Sequence, residues 1–343
     1  MKVEKKVICS LNKCYSIAPL WYRGKNCFLV AAEGHDPCYL FSETGERLDT
    51  IWTEPGGVMT MRQLPGSDGV FLATHRFYSP DDAADAEIVV AQPDGAAGWK
   101  VRTLCKAPFV HRFGIIERGG VCHLLVCCLK SGQEHKGDWS RPGAVWSAVL
   151  PADLSGFDAA HPLPLQCVKD GMLKNHGYSE YRDGEVTTAI VGCDSGVWQF
   201  VPPERAEAPW TVRRLTDRPS SDAVLLDFDG DGKPELGSIS PFHGDTLEFF
   251  RQDAAGDYRL DWTSPKRFGL LHATWPCLLG GRPAWVVGCR EGERESMLVT
   301  WDDGTYRLEP FDRAGAANAL LLENGLLVMT NREIDEVAMY AFR

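Results

Sequence analysis

The chain has 343 residues, a length that suits one large all-β domain or two ordinary domains. Its 34 glycines, 21 prolines and 11 tryptophans are typical of many short strands joined by turns. The formal net charge of −11 disfavours nucleic acid and anionic membranes as partners, because both repel an acidic surface. No apolar run reaches the ~18–20 residues that a membrane span requires.

Twelve cysteines would be enough for a disulfide framework, but several lie inside strand-like apolar runs, namely Cys27, Cys122, Cys127 and Cys128. There they would act as small apolar side chains. The sequence contains no CxxC, which argues against a zinc ribbon or a thioredoxin-type redox motif. Residues 1–11 hold no apolar run long enough for a signal peptide. We therefore expect reduced thiols and a cytoplasmic protein.

Taken in chain order, the predicted strands recur in a unit of roughly 45–50 residues, the spacing of four-stranded propeller blades. In each unit, a tight polar turn joins strand A to an apolar strand B, a richer loop joins B to C, and a turn joins C to D. We place the units at 14–56, 57–108, 109–170, 171–218, 219–267, 268–313 and 314–343 plus 1–13.

The seventh unit runs out of chain after three strands, whereas residues 3–10 form a strand without a unit of its own. Pairing these two chain ends would close the ring and remove its open sheet edges. The sequence therefore predicts a single all-β domain, a seven-bladed β-propeller whose N-terminal strand completes the last blade. A pair of large β-sandwiches is the alternative fold.

The fifth unit carries an acidic A–B turn, DFDGDGKPE at 227–235. Carboxylates at alternate positions, closed by a glycine, are suited to Ca²⁺. The twelfth position is Ser238 instead of the glutamate of an EF-hand, and short strands flank the loop where an EF-hand has helices. We predict a structural Ca²⁺ held by Asp227, Asp229, Asp231 and Glu235, with a metal-free acidic hairpin as the alternative. The loop resembles the FG-GAP/VCBS repeat of β-propeller proteins.

Seven of the nine histidines sort to one face of the predicted disk, the face shared by B–C loops and D–A connections, and only His123 and His161 do not. Four of the nine fall in or at the start of B–C loops, namely His35, His75, His135 and His243. Three more stand where A strands begin, namely His111, His176 and His272. Because A strands line the central channel, we expect these three to converge and to be able to hold a divalent metal. Any one of them alone could equally be an ordinary hydrogen-bonding residue at a strand end.

Cationic and aromatic residues join the histidines on this face: Arg76, Arg112, Arg290, Arg332, Trp139 and Tyr178. Guanidinium groups bind carboxylates, aromatic rings stack on sugars, and imidazole transfers protons near neutral pH. No GxSxG elbow, phosphate loop or dinucleotide fingerprint occurs in the sequence. The set favours proton abstraction beside a carbonyl or carboxylate, followed by β-elimination.

From this set we assign candidate roles for a small saccharide or sugar acid as the ligand. His111 and His176 would move protons or bind metal, Arg76 and Arg112 would hold the carboxylate, and Tyr178 would be an accessory acid. The remaining candidates for substrate binding are His35, His75, His135, Trp139, His243, Arg290 and Arg332.

The strings PFVHRF, LKSGQEHKGDWSRPGAVW, KNHGY and ISPFHGDTL, together with the acidic loop, resemble propeller sugar lyases and dehydratases. These include the aldos-2-ulose dehydratase type and propeller polysaccharide lyases. The resemblance implies a carbohydrate-active lyase, here acting on a small sugar acid or keto-sugar. The alternative from another class is a non-catalytic propeller that binds a glycan or protein partner on the same face, and hydrolysis is a third possibility.

Overall fold

The computed structural model of the chain describes residues 2–95 and 98–343. Seven four-stranded antiparallel sheets form the blades of a β-propeller. First strands of neighbouring blades contact one another in at least six of the seven blade pairs, so these strands surround the axis. The predicted seven-bladed propeller is therefore confirmed, and the β-sandwich alternative is wrong. The described residues contain no helix suited to crossing a bilayer.

Blades 1 to 3 follow in chain order. After an N-terminal strand, β1 (Val3–Ser10), blade 1 has β2 (Cys14–Tyr22), β3 (Lys25–Ala32), β4 (Cys38–Ser42) and β5 (Arg47–Trp52). Blade 2 has β6 (Met61–Gln63), β7 (Phe71–His75), β8 (Glu87–Pro93) and β9 (Trp99–Lys106). Blade 3 has β10 (Val110–Arg118), β11 (Val121–Lys130), β12 (Pro142–Val149) and β13 (Gln166–Lys169).

Blades 4 to 6 repeat this arrangement. Blade 4 has β14 (Tyr178–Asp183), β15 (Val186–Cys193), β16 (Gly196–Val201) and β17 (Thr211–Thr216). Blade 5 has β18 (Asp222–Leu226), β19 (Glu235–Ser240), β20 (Thr246–Gln252) and β21 (Tyr258–Thr263). Blade 6 has β22 (Leu271–Leu279), β23 (Arg282–Cys289), β24 (Glu295–Asp302) and β25 (Thr305–Arg313).

Blade 7 combines both ends of the chain. Its first three strands are β26 (Asn318–Leu321), β27 (Leu327–Asn331) and β28 (Glu336–Phe342), and its outermost strand is β1 (Val3–Ser10). β1 and β28 are antiparallel, with Val3 opposite Phe342 and Ser10 opposite Glu336. This pairing confirms that the N-terminal strand completes the last blade, which closes the ring without leaving the β28 edge unpaired.

The core lies between the blades, because each sheet is covered on both faces by its neighbours. In the cluster between blades 1 and 2, Leu29 and Leu40 pack with Phe71 and Val89. Second strands are accordingly continuous apolar runs: β11 is buried from His123 to Lys130. The twelve cysteines are free thiols and most are buried, as their positions in apolar runs predict.

Candidate metal centre and axial cavity

Four imidazoles and one phenol lie together where the innermost strands begin. His111 and Tyr15 belong to the starts of β10 and β2, His176 precedes β14, and His272 lies on β22. His243 joins them from the loop between β19 and β20. The structure thus brings together the three histidines predicted to converge on the axis and adds a fourth from a B–C loop.

His176 is at the centre of this histidine cluster. Its ring centroid lies 4.1 Å from that of His111 and 5.0 Å from that of His272. Its Nε2 lies 3.3 Å from Nε2 of His243. One ligand atom from each of His176, His243 and His272 lies within 4.8 Å of the other two. This trio differs from the predicted one, because His243 takes the place of His111.

Hydrogen bonds at Nδ1 fix the tautomers of three of the rings. Nδ1 of His176 lies 3.0 Å from a carboxylate oxygen of Asp222. Nδ1 of His111 and Nδ1 of His272 lie 3.1 Å and 2.9 Å from the carbonyl oxygens of His176 and Ala317. Since these oxygens only accept, each Nδ1 carries the hydrogen, and Nε2 of a neutral ring presents a lone pair. Such outer hydrogen bonds orient histidines that bind metals.

Burial keeps three of the rings, those of His111, His243 and His272, in the form that can bind a metal. It lowers the pKa of His111 and of His272 well below the ordinary value, and nearby cationic side chains act in the same direction. Burial also lowers the pKa of His243 to about 3. These rings are therefore neutral at physiological pH, as metal ligation requires. For Asp222, burial raises the pKa but His176 and Arg112 lower it, and the net direction is down, so the carboxylate is ionised.

Tyr15 bridges two of the rings. Its hydroxyl lies 2.9 Å from Nε2 of His272 and 3.2 Å from Nε2 of His111. Both nitrogens present lone pairs, but a phenol has one hydrogen to donate. Burial raises the pKa of Tyr15 to about 12, so the hydroxyl keeps that hydrogen. Tyr15 can therefore donate to Nε2 of only one of these two histidines. The Nε2 lone pair of the other histidine remains available to bind a cation.

Two glycines allow the close packing around the axis. A Cβ at Gly177 would lie 2.5 Å from the Cα of Asp222, so only glycine lets β18 approach close enough for Asp222 to reach His176. A Cβ at Gly114 would lie 1.7 Å from the hydroxyl oxygen of Tyr178, which needs that space inside the channel. Both glycines are thus required by a close neighbour, the backbone of Ser221 and Asp222 at Gly177 and the Tyr178 side chain at Gly114, and not by a positive φ.

An aromatic and cationic rim surrounds His243, the one half-buried member of the cluster. The Phe242 ring stacks on His243 at 4.1 Å between centroids, and Trp139 meets Phe242 edge-on at 5.5 Å. Nζ of Lys174 lies 5.6 Å from the Phe242 centroid and 5.7 Å from the Trp139 centroid. Nζ of Lys130 lies 4.7 Å from the Trp139 centroid. The rim therefore offers apolar ring faces beside positive charge.

Two predicted arginines belong to a chain of ion pairs beside this rim. Nε of Arg290 lies 2.8 Å from a Glu333 oxygen, and an Arg332 nitrogen lies 2.9 Å from the same oxygen. Arg332 also pairs with Glu33 of blade 1. All four side chains are at most 22% exposed. The ion-pair chain links blades 6, 7 and 1, and the charge of Arg290 helps to lower the pKa of His243.

Arg112 and Tyr178 lie in a different place, an axial cavity of about 220 Å³. Because Arg112 follows His111 on its strand and Tyr178 follows His176, this cavity is on the A–B-turn side of the histidines. It runs from exposed Glu180 to buried Arg112 and Asp222. Asp222 therefore lies between the cavity and the histidine cluster. Its carboxylate contacts His176 and also belongs to a residue that lines the cavity.

The other predicted site residues lie outside both spaces. The Arg76 side chain is 52% exposed and lies 3.6 Å from Glu87. His35 packs against Tyr78 with ring centroids 4.0 Å apart, and exposed His135 contacts the carbonyl of Lys136. His75 is buried against Trp52, with ring centroids 4.6 Å apart. Their predicted roles in substrate binding stay predictions.

The acidic loop joins β18 to β19 as predicted. Oxygens of Asp227, Asp229 and Glu235 lie within 4.8 Å of one another. Asp231 is not part of this group, and its carboxylate accepts a hydrogen bond from the backbone of Lys233 at 2.8 Å. An Arg251 nitrogen lies 2.6 Å from Asp229, so part of the negative charge is already balanced.

Sequence reasoning missed four residues beside the histidines: Tyr15, Asp222, Lys174 and Phe242. Two of them could have been recognised from the sequence: Tyr15, like His111 and His272, is the second residue of its innermost strand, and Asp222 is the first residue of its own. Aligning the seven units on the start of this strand would have found them. Lys174 and Phe242 lie in loops, whose geometry the repeat does not fix.

No protein-family model and no curated protein sequence matches the chain. Solved propeller structures do match it. The Cps50 (Swd1) β-propeller domain of Myceliophteria thermophila superposes with a TM-score of 0.63 at 8% identity, over 99% of this chain and 100% of that chain. Streptogramin B lyase gives 0.57 at 10% identity, over 99% and 98%. BBS1N, solved in complex with ARL6DN, gives 0.57 at 10% identity, over 99% and 95%. At these identities the likeness shows the fold alone.

Proposed function

We propose that the protein is a metal-dependent carbon–oxygen lyase that catalyses β-elimination on a small sugar acid or keto-sugar. The observation that supports this proposal is the convergence of His176, His243 and His272, with two of the rings held through Nδ1 by oxygen atoms. Three histidine ligands with a fourth position left for water or substrate form a common type of catalytic metal site.

The spacing of the ligand atoms fits a small divalent ion. Nitrogens bound at ~2.0–2.1 Å to a tetrahedral zinc lie about 3.3 Å apart. Nε2 of His176 and Nε2 of His243 are separated by 3.3 Å. Nδ1 of His272 is occupied by the Ala317 carbonyl, which leaves Nε2 as the ligand atom of that ring. His176, His243 and His272 would therefore hold the ion, and Asp222 would orient the first of them.

A divalent cation at this position would polarise a carbonyl or carboxylate oxygen and so acidify the neighbouring C–H group. Tyr15 and His111 are the residues placed to handle the proton. In the resting site Tyr15 keeps its hydrogen, but in a concerted step its hydroxyl can pass that hydrogen to Nε2 of His111, 3.2 Å away, as its oxygen takes the substrate proton, so that no free phenolate forms. The electrons of the broken C–H bond form the C=C bond, the β C–O bond breaks, and protonated His111 can return a proton towards the departing oxygen.

The rim around His243 would select the substrate. Lys174 and Arg290 supply positive charge for a carboxylate, although Lys174 also pairs with Asp194 at 3.1 Å and Arg290 with Glu333 at 2.8 Å. Trp139 and Phe242 supply faces for a sugar ring. Arg76 has no part in this proposal because it is exposed and paired with Glu87, and Arg112 and Tyr178 lie beyond the histidines in the axial cavity.

A non-catalytic propeller that binds a glycan or protein on the same face is the second candidate. The same rim favours it, since ring stacking and positive charge serve binding as well as catalysis. Streptogramin B lyase is one of the structural neighbours, but propellers host many functions and the fold does not choose among them.

We further propose that the acidic loop is an FG-GAP/VCBS-type turn that holds a structural Ca²⁺ through Asp227, Asp229 and Glu235. The clustering of these three carboxylates supports the site. The ion pair between Arg251 and Asp229 would have to break for Asp229 to bind the ion. A cytoplasmic location is also proposed, because twelve free thiols fit a reducing compartment.

The lyase proposal is tested by incubating the zinc-loaded chain with uronosides and keto-sugars and recording ultraviolet absorbance. Elimination creates a conjugated double bond, so absorbance should rise, and His243→Ala should abolish the rise. His161→Ala is the matched control, because the exposed His161 side chain pairs with Asp158 outside the cluster and its loss should leave the rate unchanged. Sugars bound but recovered unchanged would favour the binding function, and new reducing ends without absorbance would indicate hydrolysis.

A further inference from the structure

We infer that the axial cavity is a second ligand site, which binds a neutral, polyhydroxylated molecule of monosaccharide size. The cavity volume is about 220 Å³. This is below the ~300–1,000 Å³ of pockets for drug-sized ligands, so the ligand must be small. The inference goes beyond the proposed lyase and does not depend on it, because the cavity is on the other side of the histidines from His243.

The fixed charges of the lining balance. Two guanidinium groups, Arg62 and Arg112, face two carboxylates, Glu180 and Asp222. A ligand with a net charge would be attracted by one pair and repelled by the other, whereas a neutral ligand pays no such penalty. The charge balance therefore favours an uncharged molecule over the sugar acid proposed for the histidine side.

Several hydrogen-bonding groups of the lining are not fully used by protein partners. Nε of Arg62 is buried and has no partner among the described residues. Arg112 donates to the carbonyl of Met59 and, at 3.5 Å, to Asn318, which uses only part of its five N–H groups. On Asp222, the oxygen Oδ2 accepts from His176 and from Ser221. Vicinal hydroxyls both donate and accept, so they match a site that offers planar guanidinium donors beside carboxylate acceptors.

The remaining wall suits a sugar ring. Trp275 and Pro276 of β22 line the cavity, and an aromatic face gives apolar contact to the C–H face of a pyranose. Tyr178 donates its hydroxyl hydrogen to Glu180 at 2.9 Å and keeps its lone pairs for a ligand hydroxyl. Further polar residues of the lining are Ser16, Thr60, Ser179, Thr274 and Asn318. The cavity thus combines one ring platform with donors and acceptors from several blades.

The experiment is calorimetric titration of the full chain with D-glucose, D-galactose, D-mannose and myo-inositol, with D-glucuronate as the charged counterpart. At least one neutral compound should bind saturably. In the His243→Ala chain, which lacks the proposed sugar-acid site, that compound should bind more tightly than D-glucuronate. Glu180→Gln removes one negative charge from the lining, so it should weaken the neutral ligand about fivefold or more and strengthen D-glucuronate. Glu117→Gln, an exposed change on β10 outside the cavity, should alter neither affinity.

Two results would overturn the inference. One is the absence of saturable binding by all four neutral compounds. The other is binding that both Glu180→Gln and Tyr178→Phe leave unchanged, which would place the ligand elsewhere. His243→Ala should leave the titration unchanged while it abolishes elimination, so failure of this site and failure of the lyase proposal are distinguishable.

Discussion

The buried carboxylate of Asp222 lies 3.0 Å from Nδ1 of His176, and neither side chain is more than 2% exposed. Asp222 begins β18 and His176 precedes β14, so two neighbouring blades build the pair. The pair fixes the His176 ring with its Nε2 lone pair towards His243. Because the contact needs Gly177 as a close neighbour, the local sequence His-Gly is part of the same arrangement.

Asp222→Asn should weaken zinc binding by about 10–100-fold, because the amide no longer stabilises the oriented, electron-rich imidazole. Calorimetric titration of zinc into the full chain measures the change. Asp257→Asn, an exposed change in the same blade, is the control and should bind like the wild type. Equal zinc affinities for all three proteins would show that Asp222 has no role at the metal.

The ion pairs that join blades 6, 7 and 1 should contribute to stability. Glu333→Gln leaves Arg290 and Arg332 without their shared partner in a largely buried position. We expect the free energy of unfolding in urea to fall by about 1–3 kcal/mol. Asp253→Asn breaks the exposed pair with Arg259 and should cost no more than about 0.5 kcal/mol. A loss for Glu333→Gln as small as that of the control would contradict this role.

The acidic loop predicts a Ca²⁺-dependent melting temperature. Calcium at about 100 times its Kd should stabilise the fold by roughly 2.7 kcal/mol, and EDTA should reverse the gain. Asp229→Asn should remove the effect, because Asp229 belongs to the carboxylate group. Asp231→Asn should retain it, because that carboxylate lies outside the group and caps its own turn. Thermal melts that respond identically in both variants would exclude the proposed site.

His75 should make the fold sensitive to acid. Burial lowers the pKa of His75 to about 3, and the ring is packed against Trp52. Below its unfolded pKa of ~6.5, the unfolded state binds the proton and the folded state does not, so stability falls as the pH falls towards 3. At pH 5 the loss is about 2 kcal/mol.

His75→Phe removes this titration, so the unfolding free energy of the variant should decline less between pH 7 and pH 5 than that of the wild type. The other buried histidines titrate in both proteins, and the comparison therefore isolates His75. Parallel pH profiles for the two proteins would show that protonation of His75 does not oppose folding.

Much of the fold was predictable because propeller blades repeat. Turn residues and apolar B strands recur along the chain, and the orphan strand 3–10 revealed how the ring closes. The convergence of His111, His176 and His272 followed from their shared position at the start of innermost strands. The position of His243 could not be predicted in this way, because His243 lies in a loop and its place beside the axis depends on packing against Phe242.

Other parts of the site depended on contacts that sequence spacing does not specify. Arg112 is next to His111 in the sequence, yet it lines the cavity below the histidines. Side chains of adjacent residues on a strand point in opposite directions or lie at different depths along the axis. Candidates chosen by blade face therefore include residues of both the histidine cluster and the axial cavity. Arg76 follows a buried histidine but is itself exposed at a turn with φ of 65°.

The central claim is that His176, His243 and His272 bind one metal ion. The most direct measurement is an anomalous difference map from crystals of the full chain grown with zinc, recorded on both sides of the zinc absorption edge. The account predicts a single strong peak about 2.0–2.1 Å from Nε2 of all three histidines. A map with no peak there, while zinc occupies other positions on the protein, would contradict it.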